Sequence, residues 1–189
     1  WLARILTADD YGLVGMLAIF TALCNVILNS GFVVALTNKK EVEHRDYNAI
    51  FWFTFFVGLL LYICLFISAP SIASFYERSE LINLSRVLFV TVFINGLAMV
   101  PHIIMYKDLM AKHRSITDVV SVSVSFIVSL IIALKGYAYW AIVAQRVVQS
   151  LVGLILRYAF TKWVPVFKLD FTPIKQLWAF SSKLFAASF

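Results

Sequence analysis

Three stretches of this chain, Tyr11 to Thr37, Ala49 to Tyr76 and Val87 to Tyr106, contain no Lys, Arg, Asp or Glu. A helix rises about 1.5 Å per residue and the hydrocarbon core of a bilayer is about 30 Å thick, so each run is long enough to cross it. Two further runs are less pure: Ile116 to Leu134 carries Asp118 near one end, and Ala138 to Phe160 carries Arg146 and Arg157. The expected fold class is therefore all-α, a polytopic transmembrane helix bundle with spans over 11–37, 49–75, 86–106, 116–134 and 138–160. Residues 1–10 read as the end of an earlier span and an external loop, 161–173 as a cytoplasmic linker, and 174–189 as the opening of another span. On this reading the chain is a piece of a longer protein.

Composition excludes the alternatives. Hydrophobic residues make up 62% of the chain and charged residues 14%, against roughly 25% charged in an average soluble domain. A water-soluble fold of that composition would have no surface. The net charge of +6 is spread over the connectors and forms no single basic patch, which argues against a nucleic-acid partner. Cys24 and Cys64 fall inside apolar runs, where a thiol behaves as a small hydrophobe. His44, His102 and His113 have no zinc-site spacing, and phosphate loops, nucleophile elbows and clustered catalytic carboxylates are absent from the sequence. No enzyme chemistry, metal or cofactor is expected.

The connectors alternate in positive charge, and Lys and Arg are enriched in cytoplasmic loops. Lys39, Lys40 and Arg45 lie in one loop, Lys107, Lys112 and Arg114 in another, and Lys162 and Lys168 in a third, whereas the intervening connectors are poorer. The three rich loops are assigned to the cytoplasm. Trp140, Trp163, Tyr11, Tyr76 and Tyr106 fall near predicted span ends and read as interfacial anchors.

Polar groups inside a bilayer are costly, so their arrangement carries the functional signal. At helical spacing, Thr21, Asn25 and Asn29 share a face, as do Thr91, Asn95 and His102 in the third span. Asp118, Ser121, Ser125 and Ser129 align in the fourth, and Tyr139, Arg146, Gln149, Ser150, Gly153 and Arg157 in the fifth. Four helices, each with one polar face, imply a shared polar interior. For the serine stripe, interhelical packing is the favoured alternative. Asp118 and Arg157 lie at similar depth across the Lys135–Tyr137 turn and form a candidate ion pair. Arg146 stands about nine residues into its span with no acid at matching depth, so it either meets a counter-charge outside this sequence or faces a wet cavity that receives an anion. The cavity is favoured, because a guanidinium matches phosphate oxygens.

The order of RILTADDYG, NSGFVVALTNKK, AIFWFTFFVGLLL, SIASFYERSEL and KGYAYWAIVAQRVVQSL resembles the polysaccharide-transporter branch of the multidrug/oligosaccharidyl-lipid/polysaccharide exporter superfamily, over the whole chain. Wzx-type and WzxC-like lipopolysaccharide and exopolysaccharide flippases are the nearest in pattern. The sequence departs from that pattern at Ala8, where proline is frequent, and near Ser181 and Ser182, where glycine is common. The resemblance implies two six-helix lobes around a cavity, with this chain supplying most of the first lobe. It also implies residence in the bacterial inner membrane, movement of an undecaprenyl-diphosphate-linked oligosaccharide by alternating access, and a polysaccharide polymerase or export machinery as partner. The candidate substrate-contacting residues are Arg146, Gln149, Asn25, Asn29, Asn95, Arg157 and Arg4. The competing functions are a cation-coupled multidrug exporter, for which Asp118 is the sole intramembrane acid, and a membrane scaffold of a polysaccharide synthase.

Overall fold

The computed structural model describes residues 8–28, 36 and 42–167. These form six helices: α1 (Ala8–Leu28), α2 (His44–Phe75), α3 (Leu81–Leu88), α4 (Val90–Lys107), α5 (Ala111–Leu134) and α6 (Ala138–Thr161). Four continuous segments are long and apolar enough to cross a membrane: α2, α3 with α4 (Leu81–Lys107), α5, and α6 from Tyr139. The bundle agrees with the expected fold class. Arg4, Asn29, Lys39, Lys40 and Lys168, with the expected spans, loops or linkers over 1–7, 29–35, 37–41 and 168–189, lie outside the described residues.

Several helices begin earlier than the charge-free runs. α2 starts at His44 instead of Ala49, because Asp46 reaches back and accepts the Glu43 backbone N–H at 3.0 Å, satisfying a donor that the first turn leaves open. The third span starts at Leu81 instead of residue 86, and α5 at Ala111 instead of Ile116. In α2 and α5 a polar first turn, and in α3 an amphipathic one ahead of Arg86, continues the helix beyond its charge-free run, since hydropathy marks hydrocarbon thickness and not helix length. The third span is also interrupted at Phe89. There Thr91 Oγ1 donates to the Leu88 carbonyl at 2.7 Å, and Val92 N–H bonds the Phe89 carbonyl three residues back. Local hydroxyl back-bonding thus competes with the ladder and tightens one turn.

The helices alternate in direction, so the termini at His44, Lys107, Ala111 and Thr161 gather at one end, here called the basic end. Two apolar cores fill the bundle. Near the basic end, Leu28, Ile50, Phe51, Val100, Ile103 and Trp163 pack together, and at the opposite end Leu17, Ile72, Leu84, Phe89 and Val143 do so. Between them α2 crosses α4 with almost no side chain in the way: a Cβ on Gly96 would stand 2.9 Å from the Thr54 carbonyl oxygen. Small residues permit such approach where lipid supplies no hydrophobic drive. The α5–α6 hairpin closes at Gly136, whose φ of +86° suits the left-handed position that ends a helix.

Trp163 departs from its expected role as an interfacial anchor. It is only 8% exposed, lies 5.5 Å from the Phe51 ring and stacks on His44 at 5.8 Å. The chain after α6 folds back onto α2: Val166 N–H donates to Asn48 Oδ1 at 2.8 Å, and Trp52 Nε1–H donates to the Val166 carbonyl at 3.0 Å. With its strand of backbone tied down, Trp163 is carried inward into the core.

Candidate functional site

The polar faces of α1, α4, α5 and α6 surround one cavity of about 770 Å³. α1 contributes Thr21 and Asn25, α4 contributes Thr91 and Asn95, and α5 contributes Asp118 and Ser121. α6 supplies Gln145, Arg146, Gln149, Ser150 and Arg157, whose spacing of three, four and seven residues keeps them on one side of the helix. Val14, Ala18, Leu88 and Ile142 give the same chamber an apolar wall.

Five of the sequence candidates, Arg146, Gln149, Asn25, Asn95 and Arg157, are brought to this cavity. Asn95 Nδ2 donates to Asn25 Oδ1 at 3.2 Å, so the two amides tie α4 to α1 while lining the wall. Arg157 Nη2 stands 3.8 Å from Asp118 Oδ1 on the neighbouring helix. Arg146 is exposed to the cavity, and among the described residues no carboxylate lies within ion-pair distance of it. It stands about 12 Å along α6 from Ala138. The described lining of the chamber thus carries two arginines and one carboxylate.

The remaining polar positions divide. Ser125 and Ser129 do not line the cavity but pack within the bundle, and His102 is half-buried away from the lining. Gln145 is a wall residue that the sequence analysis did not single out; its spacing of four from Gln149 was the available signal. Thr21, Thr91, Asp118, Ser121 and Ser150 were recognised as stripe members without being counted among the site candidates, and all five reach the wall. Among the described residues no group of His, Cys, Asp or Glu could hold a metal ion.

The chain is 27% identical over 86% of its length to the teichuronic acid biosynthesis protein TuaB of Bacillus subtilis (strain 168), covering 34% of that protein. It is 23% identical over 95% of its length to the succinoglycan biosynthesis transport protein ExoT of Rhizobium meliloti (strain 1021), covering 36% of it. It is 18% identical over 82% of its length to the lipopolysaccharide biosynthesis protein WzxC of Escherichia coli (strain K12), covering 31%. The chain thus spans about a third of the length of these curated relatives. No solved structure matches it. The family model described as "Polysaccharide biosynthesis protein" matches residues 1–189, the whole of the chain, and the chain belongs to that family of multi-pass membrane proteins.

Proposed function

We propose that this chain forms one lobe of a flippase that carries a lipid-linked oligosaccharide, the repeat unit of an O-antigen or exopolysaccharide, across the bacterial inner membrane. The observation that carries the reading is Arg146, a permanent cation within a polar chamber and without a carboxylate partner among the described residues. An uncompensated guanidinium at such depth costs at least about 2.5 kcal/mol by insertion scales and cannot escape by losing its proton. A diphosphate head offsets that cost when it binds, whereas a neutral sugar does not. Asn25, Asn95 and Gln149 present amide donors and acceptors suited to sugar hydroxyls, and the polyprenyl chain remains in lipid. Undecaprenyl diphosphate is the carrier proposed.

Transport needs no covalent step. A second lobe, for which the longer relatives leave room, closes the open side of the chamber, and rocking of the two lobes exposes it to each face in turn. With the basic loops cytoplasmic, the chamber loads from the end bearing Lys107 and Thr161 and releases at the end bearing Glu80 and Lys135. A polysaccharide polymerase or export complex receives the product. The names of the relatives support transport in polysaccharide biosynthesis, one of them being called a transport protein. A cation-coupled multidrug exporter is less well supported, because Asp118, the sole acid among the described residues that line the chamber, faces Arg157.

The test is Arg146→Ala in a strain whose surface glycan depends on this protein. Export should be abolished with membrane abundance near wild type, and Arg146→Lys should recover only part, since an ammonium keeps the charge but loses the bidentate fork. Full export by a normally abundant Arg146→Ala protein would sink the assignment. A loss of abundance instead would mark Arg146 as a structural cation paired elsewhere.

A further inference from the structure

Arg146 and Arg157 lie eleven residues apart on α6, which places them about 16 Å apart along the helix. Arg157, unlike Arg146, already faces a carboxylate, and that difference requires an explanation.

The surroundings of Arg157 supply it. Its guanidinium folds back along α6 over Gly153: a Cβ placed there would stand 3.0 Å from Nη1 and 3.6 Å from Cζ. Glycine is the poorest helix former after proline, yet it occupies the buried interior of a helix at the one turn where this guanidinium needs room. The ion pair it makes is asymmetric. The Arg157 side chain is 22% exposed and the Asp118 side chain 68%, so the buried cation must keep an anionic partner while the carboxylate can turn to water. At 3.8 Å the contact is also longer than the 2.7–2.9 Å of a charge-assisted hydrogen bond, so no tight fork has to be broken to exchange it.

Deepening the flippase reading, on which it rests, we propose that Arg157 is a loading station for the phosphate head near the basic end of the chamber, that Asp118 is the placeholder anion which the phosphate displaces, and that Gly153 is the positioning residue that seats the guanidinium. The head then passes from Arg157 to Arg146, two sites in series on one helix. Released from Arg157, Asp118 stays solvated at the chamber wall and re-forms the pair after the head has moved on.

The experiment is binding of undecaprenyl diphosphate to the intact protein in phosphatidylcholine nanodiscs, with the melting temperature measured in parallel. Asp118→Asn should tighten binding severalfold by removing the competitor. Arg157→Gln should weaken it about tenfold, the loss of one charge-assisted contact, and in the Arg157→Gln background Asp118→Asn should no longer tighten it. Gly153→Ala should weaken binding by less than Arg157→Gln, since the end of the arginine side chain can shift away from the added Cβ, and should add nothing to it. Arg157→Lys should retain part of the affinity. If Asp118→Asn leaves affinity unchanged or lowers it, the pair is a structural tie between α5 and α6 and the loading station is wrong. If the Arg157, Gly153 and Asp118 variants all bind normally while Arg146→Ala does not, the station fails and the flippase reading stands. If Arg146→Ala also binds normally, the flippase reading fails with it.

Discussion

Two polar faces, one on α5 and one on α6, run beside each other in the same helical hairpin and end in different environments. On α5, Ser121 reaches the chamber wall at 4% exposure, whereas Ser125 and Ser129, at 0% and 1%, are packed away from it. Ser121 and Ser125 return their hydroxyls to carbonyls one turn back, Asp118 at 3.1 Å and Val122 at 2.9 Å. Arg146 on α6 is exposed, and Gln145, Gln149 and Ser150 are half-exposed at the chamber wall. Both stripes obey the same spacing. What separates them is side-chain size and hydrogen-bonding capacity: a hydroxyl can satisfy itself on its own helix and let a neighbour pack against it, while a guanidinium or a primary amide carries more donors than one turn of helix can accept. Along α5 the short side chains of Ser125 and Ser129 close into a seam, and along α6 the long side chains of Gln145, Arg146 and Gln149 reach the chamber.

The contrast is broken most directly by chemical access. In a background lacking Cys24 and Cys64, Gln149→Cys should react with a hydrophilic thiol reagent on the purified protein, and Ser125→Cys should stay unmodified until the protein unfolds. Equal labelling rates would show that the α5 face opens as readily as the chamber. A second measurement compares bulk. Ser125→Leu overfills a fully buried position and should cost about 1–3 kcal/mol, seen as a lower melting temperature and reduced membrane abundance. Gln149→Leu should keep abundance and lose transport, because the chamber has space for the side chain but loses an amide. Were Ser125→Leu to fold normally, the seam would not be tightly packed.

The glycines sharpen the same contrast at smaller amplitude. Gly96 lies in the α2–α4 seam, where the obstacle to a Cβ is the Thr54 carbonyl and not a flexible side chain, so Gly96→Ala should destabilise by about 1–3 kcal/mol. Gly15 lines the chamber with nothing within 4 Å of its Cβ position, and Gly15→Ala should stay within about 0.5 kcal/mol of the parent. Thermal unfolding in one detergent compares the two. A Gly96→Ala protein as stable as Gly15→Ala would contradict the close crossing.

The helical bundle, the alternating direction of its spans and the four polar faces are legible in the residue order, because hydropathy and a period of 3.6 residues are local properties of the chain. From its spacing alone, Arg146 stood out as a cation without a partner. Which polar face closes and which stays open, the place of Gln145 in the wall and the bond between Asn25 and Asn95 emerge only once the helices are packed. The same holds for Trp163 turned into the core and the Arg157 guanidinium lying in the space left by Gly153. Those outcomes depend on the distance and rotation between helices, which are set by packing among residues far apart in the chain, and periodicity within one helix carries no information about its neighbour.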